Sequence, residues 1–279
     1  MYSFTYHRPG SARQAANLLG KNPEAKLLAG GHSLIPVMKL RLAKPSAIID
    51  LNGIEDMAGI ELKGRSISIG AMTRHADVAN SKVVRDALPG LASVPASIGD
   101  PQVRNRGTIG GSVANNDPNA DYPAACLGLG ATIVTNKRRI AADDFFTGMF
   151  STALEENEII LRVSFPIAKK AAYEKFKHPA SGFALVGVFA SKRGSEIRVA
   201  VTGAGSNGVF RVNSFEEALK KRFSPKSLEG MTIPANGMNS DIHASAEYRA
   251  HLVGVLARRA VAKATARGEE EVPGAVAGM

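Results

Sequence analysis

The first 55 residues of the chain switch between helical and strand-like patterns of apolar positions. Ser11 precedes an apolar-rich stretch that stops at Gly20, which is typical of a capped helix. Short apolar runs at residues 26–29 and 47–51 predict two buried strands, and helical spacing returns between them over residues 34–42. The pattern predicts a compact βαβ-like unit with a Gly-Gly turn after its first strand.

A second region, residues 56–168, begins with alternating apolar residues that predict a β-hairpin over residues 60–62 and 66–69. The other predicted elements of this region are helices from Thr73 and Ser81, an apolar stretch at residues 122–129, and strands near residues 131–135 and 159–165. Residues 99–112 are too rich in glycine and charge for a core. They predict a long loop with a function.

The third region, residues 169–268, combines strands and helices. Apolar runs predict strands at residues 183–190 and 197–201. A helix is predicted from Ser214, because Ser214 and Glu217 have the spacing of a capping box.

The last predicted helix begins near Ser245 and is amphipathic. Its pattern ends at Gly268, since glycine commonly terminates helices. The composition of residues 269–279 predicts a disordered tail.

Length and composition indicate a globular protein with room for two or three domains. The 279 residues are 44% apolar, and 35 Lys+Arg against 25 Asp+Glu give a formal net charge of +10. No apolar run reaches the ~18 residues of a membrane span, and the first residues lack the apolar segment of a signal peptide. We therefore expect a cytoplasmic protein, whose association with the inner face of a membrane would depend on partner chains.

The positive net charge of the chain indicates an anionic partner. Nucleic acid is disfavoured, because the basic residues are scattered, no stacking motif is present and only 6% of residues are aromatic. An anionic cofactor or the surface of another subunit is the better interpretation.

Cysteine and histidine usage argues against metal chemistry on this chain. Cys126 is the one cysteine, so an internal disulfide and any cluster or zinc site that needs several thiolates are excluded. The six histidines show no HExxH or other ligand spacing. If iron and sulfur take part in the function, another polypeptide carries them.

Two glycine pairs give the functional signal. Gly30 and Gly31 lie between a predicted strand and a predicted helix, so that bare backbone N–H groups and a helix N-terminus point at one spot, as in an anion site. Gly110 and Gly111 repeat the arrangement, again with a hydroxyl residue after the pair. Two such loops suit two linked phosphates. The alternative is that each pair only marks a tight turn with positive φ.

Two other patterns resemble catalytic motifs but lack the context that those motifs need. Residues 203–208 match the GxGxxG pattern, yet the next helix signal lies at Ser214, so a structural turn is favoured over a nicotinamide site. His32 and Ser33 are adjacent at a helix start, where neighbouring side chains point apart, and no GxSxG elbow is present. Hydrolase chemistry is therefore disfavoured.

A series of motifs, in order along nearly the whole chain, resembles the FAD-binding medium subunit of molybdenum hydroxylases. Within that carbon monoxide dehydrogenase and xanthine dehydrogenase family, the carbon monoxide dehydrogenase flavoprotein is the most similar type. The motifs are AGGHSLIP at residues 29–36, IIDL at 48–51, IGAMTRH at 69–75, VRNRGTIGGS at 103–112, DPNADYP at 117–123, YEKFK at 173–177, GAG at 203–205 and IHASAEYR at 242–249.

The resemblance implies an α+β fold. It implies a two-lobed FAD-binding domain of the para-cresol methylhydroxylase type, with lobes over residues 1–55 and 56–168. A C-terminal domain of a small antiparallel sheet and helices would follow over residues 169–268.

The resemblance also implies which residues contact FAD. The pyrophosphate would be wrapped by two loops, which consist of Ala29, Gly30, Gly31, His32, Ser33 and Leu34 in the first and Thr108, Ile109, Gly110, Gly111 and Ser112 in the second. Asp121, Ile160 and Lys177 would be further contacts around the ribityl and flavin portion. On the residues alone, these three are an N-cap, a core strand residue and a surface lysine.

The function implied by the resemblance is electron transfer. A molybdenum cofactor-binding large subunit would hydroxylate the substrate, a two-iron-sulfur small subunit would relay electrons, and the FAD of this chain would pass them to an acceptor. The complex is expected to be a dimer of heterotrimers. No catalytic base is required on this chain, because the redox chemistry belongs to the cofactor. The alternative is an assembly subunit that kept the fold and lost the cofactor.

Overall fold

The computed structural model describes residues 1–266, and its amino-terminal part is a three-stranded parallel sheet with two helices. The strands are β1 (Thr5–His7), β2 (Lys26–Leu28) and β3 (Ala47–Asp50), in the order β1-β3-β2, and the helices are α1 (Ala12–Lys21) and α2 (Leu34–Lys39). Ser11 Oγ accepts a hydrogen bond from Gln14 N at 3.2 Å, which confirms the predicted cap. The sequence does not predict β1, because its residues are mostly exposed and show no apolar alternation.

The middle part is built on a five-stranded antiparallel sheet of order β4-β5-β10-β6-β7. The strands of this part are β4 (Ile60–Lys63), β5 (Ser66–Gly70), β6 (Thr132–Thr135), β7 (Arg139–Ala141), the separate pair β8 (Phe146–Gly148) and β9 (Ser151–Thr152), and β10 (Ile160–Pro166). Its helices are α3 (His75–Asn80), α4 (Lys82–Ala87), α5 (Pro89–Ala96), α6 (Pro101–Arg106), α7 (Ile109–Asn115), α8 (Tyr122–Leu129) and α9 (Ala142–Phe145). The predicted hairpin is confirmed as β4 and β5.

Residues 99–112 do not form the predicted long loop. They contain α6 and the start of α7, which are separated only by Gly107 and Thr108. Asp100 caps α6, because its Oδ1 accepts a hydrogen bond from Val103 N at 2.8 Å. The prediction fails because a six-residue helix with charged and amide side chains has no apolar period to detect.

The carboxy-terminal part is a four-stranded antiparallel sheet with helices. The strands are β11 (Lys170–Lys177), β12 (Ala184–Arg193), β13 (Glu196–Thr202) and β14 (Phe210–Arg211), and the helices are α10 (Asn213–Lys221) and α11 (Ala246–Thr265). Three short 3-10 turns lie at Leu51–Gly53, Glu55–Met57 and Pro225–Leu228.

Two helix boundaries differ from the prediction. The N-cap of α10 is Val212 rather than Ser214, because Glu216 turns inward to accept a hydrogen bond from Val199 N at 2.9 Å. Helix α11 begins after Ser245, as predicted, but ends at Thr265. Gly268 and the tail predicted over residues 269–279 lie outside the described residues. No helix within residues 1–266 is long and apolar enough to cross a membrane.

One apolar core joins all three parts. It includes the fully buried side chains of Ile49 in β3, Ile69 in β5, Val163 in β10 and Phe189 in β12. A second core, which contains Val188, lies between the opposite face of the carboxy-terminal sheet and helices α10 and α11. The carboxy-terminal sheet is therefore covered on both faces, and α8 packs against its strands β12 and β13.

Candidate functional site

The first glycine loop, residues 29–34, connects β2 to α2. Gly31 has φ of +80°, a backbone conformation that residues other than glycine rarely adopt. A Cβ at Gly30 would lie 2.3 Å from the backbone oxygen of Arg106. Both glycines are therefore required, the first for close approach to α6 and the second for the turn.

The backbone amides of residues 30–34 in the first glycine loop have no partner among the described residues. Within the described chain, none of the N–H groups of residues 30–34 donates a hydrogen bond. Ser33 has φ of −100° and ψ of −51°, so its side chain does not cap α2. Five consecutive amide donors thus remain available in a half-buried to exposed segment.

The second glycine loop, residues 108–112, uses its amides differently. Thr108 Oγ1 accepts from Gly111 N at 3.1 Å and caps α7. Ile109 N donates to Thr73 O at 3.1 Å, and Gly110 N donates to Ala71 O at 2.8 Å. The expectation of bare N–H groups in this loop is therefore wrong for residues 109–111, because neighbouring backbone and the Thr108 cap already satisfy them.

The two glycine loops lie against each other. A Cβ at Gly111 would lie 3.6 Å from Ala29 Cβ, and the space at Gly30 is closed by Arg106 and Gly107, just before the second loop. Thr108, Ile109 and Gly110 are buried, whereas Gly111 and Ser112 are partly exposed. The structure therefore brings the two glycine loops into contact, and their joint role at one cofactor stays a prediction.

A pair of polar residues after β3 supports the first glycine loop. Asn52 Nδ2 donates to Ala29 O at 3.0 Å and to Asp50 Oδ1 at 2.6 Å. Asp50 Oδ2 accepts from the Tyr6 hydroxyl at 2.6 Å. Burial tends to raise the pKa of Asp50, but the hydrogen bonds from Tyr6 and Asn52 outweigh it and lower that pKa. The motifs do not predict this role, although an Asp that ends a buried Ile-Ile run is a usable signal.

Two buried polar atoms without a hydrogen-bond partner lie next to the loops. His75 Nδ1 and the Tyr122 hydroxyl are both unpaired among the described residues, and the two rings are 5.3 Å apart. A Cβ at Gly107 would lie 2.5 Å from His75 Nε2, so the imidazole lies directly beside the start of the second glycine loop. Burial, with a smaller effect of the charge on His32, lowers the pKa of His75 to about 4, so the ring is neutral at pH 7.

Asp121 belongs to a buried polar cluster with β11. Its carboxylate accepts from the Tyr173 hydroxyl at 2.5 Å and lies 3.0 Å from Lys175 Nζ. Lys175 Nζ also donates to Ser97 O at 3.3 Å. Burial lowers the pKa of Lys175, although the Asp121 charge opposes that shift. Both carboxylate oxygens of Asp121 thus lie among protein donors.

Ile160 and Lys177 differ in how they are connected to the glycine loops. Ile160 is buried in β10 beside Leu161, whose carbonyl accepts from Ala71 N at 2.9 Å, and Ala71 in turn holds Gly110. Lys177 is exposed at the end of β11, two residues beyond Lys175. The structure joins the two loops directly and connects Ile160 to them through Ala71.

Residues 2–168 match the sequence pattern of the family described as the FAD binding domain in molybdopterin dehydrogenase. The chain belongs to this family. The resemblance inferred from the motifs is thereby confirmed, and FAD is the cofactor of this family's domain. The FAD domain of this flavoprotein contains both glycine loops, the His75 and Tyr122 pair and Asp121.

Similar proteins extend the relationship beyond the FAD domain to the rest of the flavoprotein. The carbon monoxide dehydrogenase medium chain of Hydrogenophaga pseudoflava is 38% identical over 95% of this chain and 98% of its own. The nicotine 6-hydroxylase medium subunit of Paenarthrobacter nicotinovorans is 37% identical over 94% of this chain and 97% of its own. The structure of a reconstituted CO dehydrogenase from Oligotropha carboxidovorans superposes with a TM-score of 0.85 at 35% identity, over 96% of this chain and 99% of that chain.

The geometry of the loops fits an FAD pyrophosphate. The Gly30 and Gly31 backbone forms a cradle without side chains, and residues 30–34 supply five amide donors that no group within residues 1–266 uses. Amides of this kind at a strand-to-helix turn are suited to phosphate oxygens. The unpaired His75 and Tyr122 atoms add two polar groups beside the same loops.

The GxGxxG pattern at residues 203–208 is a structural turn in this flavoprotein. Gly203 has φ of +81°, and a Cβ there would lie 2.5 Å from Ala184 O. Helix α10 begins only at Asn213, so no helix N-terminus follows the third glycine. Among residues 1–266, no group of three or more His, Cys, Asp or Glu side chains could hold a metal ion.

Proposed function

We propose that this flavoprotein holds the FAD pyrophosphate at the first glycine loop and acts as the electron-transfer subunit of a molybdenum hydroxylase complex. The observation that carries the proposal is the row of five unpaired amides at residues 30–34, set against the second glycine loop. Hydrogen bonds to charged acceptors are stronger than those between neutral groups, so several such donors bind a diphosphate firmly. His32, Ser33 and Leu34 would contribute through their backbone amides.

The second glycine loop has a different part in this proposal. Gly111 and Ser112 are its partly exposed members, and they would border the pyrophosphate directly. Thr108, Ile109 and Gly110 are buried and hydrogen-bonded, so they would act by fixing the position of this border. The glycine at position 111 would let the cofactor approach the backbone.

Asp121, Ile160 and Lys177 would contact the ribityl and flavin portion. Asp121 is held by Tyr173 and Lys175, so its carboxylate would be oriented before the cofactor arrives. Bound FAD supplies the redox chemistry, and the protein binds it, orients it and adjusts its electronics through nearby charge. The buried ammonium of Lys175 is the strongest local candidate for that adjustment, since its charge is poorly screened.

The partners in this proposal are a molybdenum cofactor-binding large subunit and a two-iron-sulfur small subunit. Two relatives are named medium chain or medium subunit of a dehydrogenase or hydroxylase, which supports a multi-subunit complex. Cys126 is fully buried in α8, and burial raises the pKa of its thiol, so this side chain is unsuited to hold iron. We propose a dimer of heterotrimers, which would meet the inner face of a membrane through its other chains.

The finer description of the fold is also proposed. Residues 1–55 and 56–168 would be the two lobes of an FAD domain of the para-cresol methylhydroxylase type, and residues 169–268 the C-terminal flavoprotein domain. The separate sheets of the first two regions support this division.

The test is the flavin content of the purified chain and of its Gly111→Val variant. The wild-type chain should show a flavin absorbance spectrum and release FAD on denaturation. If it is isolated without cofactor, FAD at 100 times its dissociation constant should raise the melting temperature by about 5–10 °C. The valine methyl groups would fill the gap between Gly111 and Ala29, and we expect FAD binding to be lost.

Gly10→Val is the matched control, because a Cβ at Gly10 meets only Gln14 Oε1 at 3.8 Å. It should bind FAD like the wild-type chain. A wild-type chain that is colourless and shows no thermal shift with FAD would contradict the proposal and favour the cofactor-free assembly subunit. Unchanged flavin content in Gly111→Val would contradict the placement of the pyrophosphate.

A further inference from the structure

The face of the five-stranded sheet that points away from the core contains a basic concavity. It has a volume of about 250 Å³ and is lined by Val134 together with three cationic and three hydroxyl side chains, namely Lys63, Arg139, Arg162, Ser66, Ser68 and Ser164. The opposite face carries the buried residues Ile67, Ile69 and Val163, against which α7 packs. The sheet therefore separates this concavity from the helix that begins at the second glycine loop.

The strand register explains how the concavity is built. Ser68 of β5 and Ser164 of β10 are direct cross-strand partners, so their hydroxyls lie side by side. Arg162 precedes Ser164 by two residues on the same face, and Lys63 pairs with Ser66 on the other side. Short hydroxyl side chains thus form a floor between Lys63 and Arg162, whereas Val134 lies between Arg162 and Arg139.

The electrostatics of the concavity are unbalanced. The side chains of Arg139 and Arg162 make no hydrogen bond or ion pair with any residue in the described range. Lys63 is paired with Glu61 at 2.6 Å, and that contact, with a smaller effect of Arg162, lowers the pKa of Glu61. Glu61 is the cross-strand partner of Ser68 at the edge of the concavity, but no acidic residue lines the concavity itself in the part of the chain that the structure describes.

We propose that this concavity is a binding site for a phosphate-type oxyanion. Guanidinium groups bind phosphate through two parallel N–H donors, and hydroxyls donate to the remaining oxygens. A carboxylate has only two oxygens, which is fewer than the three hydroxyls and two guanidinium groups can use. The exposed face of an antiparallel sheet is ordinarily polar. Two arginines without ion-pair partners beside a cluster of hydroxyls are more than an ordinary polar face requires.

The proposal is independent of FAD, and its test keeps the two sites apart. The full chain is first saturated with FAD, and inorganic phosphate is then titrated at constant ionic strength, with chloride as the balancing anion. Calorimetry should show saturable binding. Arg162→Gln should weaken it by at least about tenfold, since a hydrogen bond to a charged group is worth that factor or more. The flavin content of the variant should be unchanged.

Lys226→Gln is the matched control, because Lys226 is an exposed cation in the carboxy-terminal part. It should bind phosphate within about twofold of the wild-type chain, as expected of screened surface charge. A parallel titration with AMP distinguishes the sources, because tighter binding of AMP than of phosphate would identify a nucleotide-borne phosphate.

Three outcomes would overturn the proposal. These are the absence of saturable phosphate binding, equal losses in Arg162→Gln and Lys226→Gln, and no loss in Arg162→Gln. If phosphate fails to bind the FAD-loaded chain but partner subunits protect Arg139 and Arg162 from chemical modification, the face is a subunit contact and not an anion site.

Discussion

The two glycine loops have similar sequence patterns, yet they use their backbone amides in opposite ways. In the first loop, residues 30–34 donate no hydrogen bond within the described chain. In the second, Ile109, Gly110 and Gly111 all donate to protein acceptors. A glycine pair before a helix therefore does not by itself predict available donors, because the surrounding backbone decides whether they are already used.

The difference originates in the residue before each helix. Thr108 has an extended backbone, with φ of −119° and ψ of 152°, and its side chain can reach the amide of Gly111. Ser33 has helical backbone angles, and its side chain caps nothing. Gly110 also rests on β5, where a Cβ would lie 2.5 Å from Ala71 Cβ, whereas Gly31 makes an open turn with φ of +80°. The first loop thus leaves its amides available, whereas the amides of the second loop are fixed by protein acceptors.

The largest effect that would test this comparison is expected from Gly30→Val. A Cβ at position 30 would lie 2.3 Å from Arg106 O, so the first loop must move away from the second. We expect FAD affinity to fall by at least about 100-fold, which corresponds to about 2.7 kcal/mol. Equilibrium titration by flavin fluorescence measures it, with Gly10→Val as the control for an added side chain. An affinity within threefold of wild type would show that contact between the loops is not needed.

The next effect is a pH dependence of stability. It comes from the lowered pKa of His75, a buried residue beside the second glycine loop. The folded pKa of His75 is about 4, below its ordinary value of about 6.5, so the unfolded chain binds more protons between these values. Stability from this group is therefore lost as pH falls through that window. It amounts to about 2 kcal/mol between pH 7 and pH 5, from about 1.4 kcal/mol for each pKa unit.

His75→Phe keeps a ring but removes the titration. Denaturant unfolding of the FAD-free chain at pH 7 and pH 5 should show a smaller loss of stability in the variant than in the wild-type chain. Equal losses in both chains would mean that His75 does not stay neutral and buried. The comparison between the chains removes the contributions of the carboxylates, which titrate in both.

These residues also show where sequence information ends. The hairpin β4–β5 and strands β12 and β13 were predictable, because alternating or continuous apolar runs survive in the sequence. The glycine loops were predictable because a Gly-Gly pair after a strand is a strong signal for a turn or loop. The contact between His75 and Tyr122 was not predictable, because the two residues are 47 positions apart in the sequence and only the tertiary fold brings them together.

Hydrogen bonding was the other part that the sequence could not supply. The pattern does not distinguish the amides of residues 30–34 from those of Ile109 and Gly110, because the acceptors of the latter two come from Thr73 and Ala71 on another segment. Similarly, Arg249 of the amphipathic helix α11 is a charged residue that is only 3% exposed. It donates to Leu185 O at 2.7 Å and to Asp241 Oδ2 at 2.7 Å.

A smaller effect on FAD affinity is expected when the hydrogen bond that supports the first glycine loop is removed. Asn52→Ala removes the hydrogen bond from Asn52 Nδ2 to Ala29 O, and the loop loses its anchor to β3. We expect FAD affinity to fall by about threefold to tenfold, since one hydrogen bond contributes about 1 kcal/mol. Asn105→Ala is the matched control, because its Nδ2 donates to Pro101 O at 2.9 Å in an exposed helix. Equal effects of both changes would contradict a specific role for Asn52.

The smallest effect on FAD binding is expected from Thr108→Val, which keeps the side-chain shape and removes the acceptor for Gly111 N. Loss of the cap should lower the free energy of unfolding by about 1 kcal/mol. FAD affinity should stay within about twofold, because the second glycine loop supports the site and the newly unpaired amide can itself donate to an anion. Thr108→Ser, which keeps the acceptor, should recover the stability. A tenfold loss of affinity in the valine variant that serine restores would instead make the Thr108 hydroxyl a direct cofactor contact, and the two loops would then be alike in function after all.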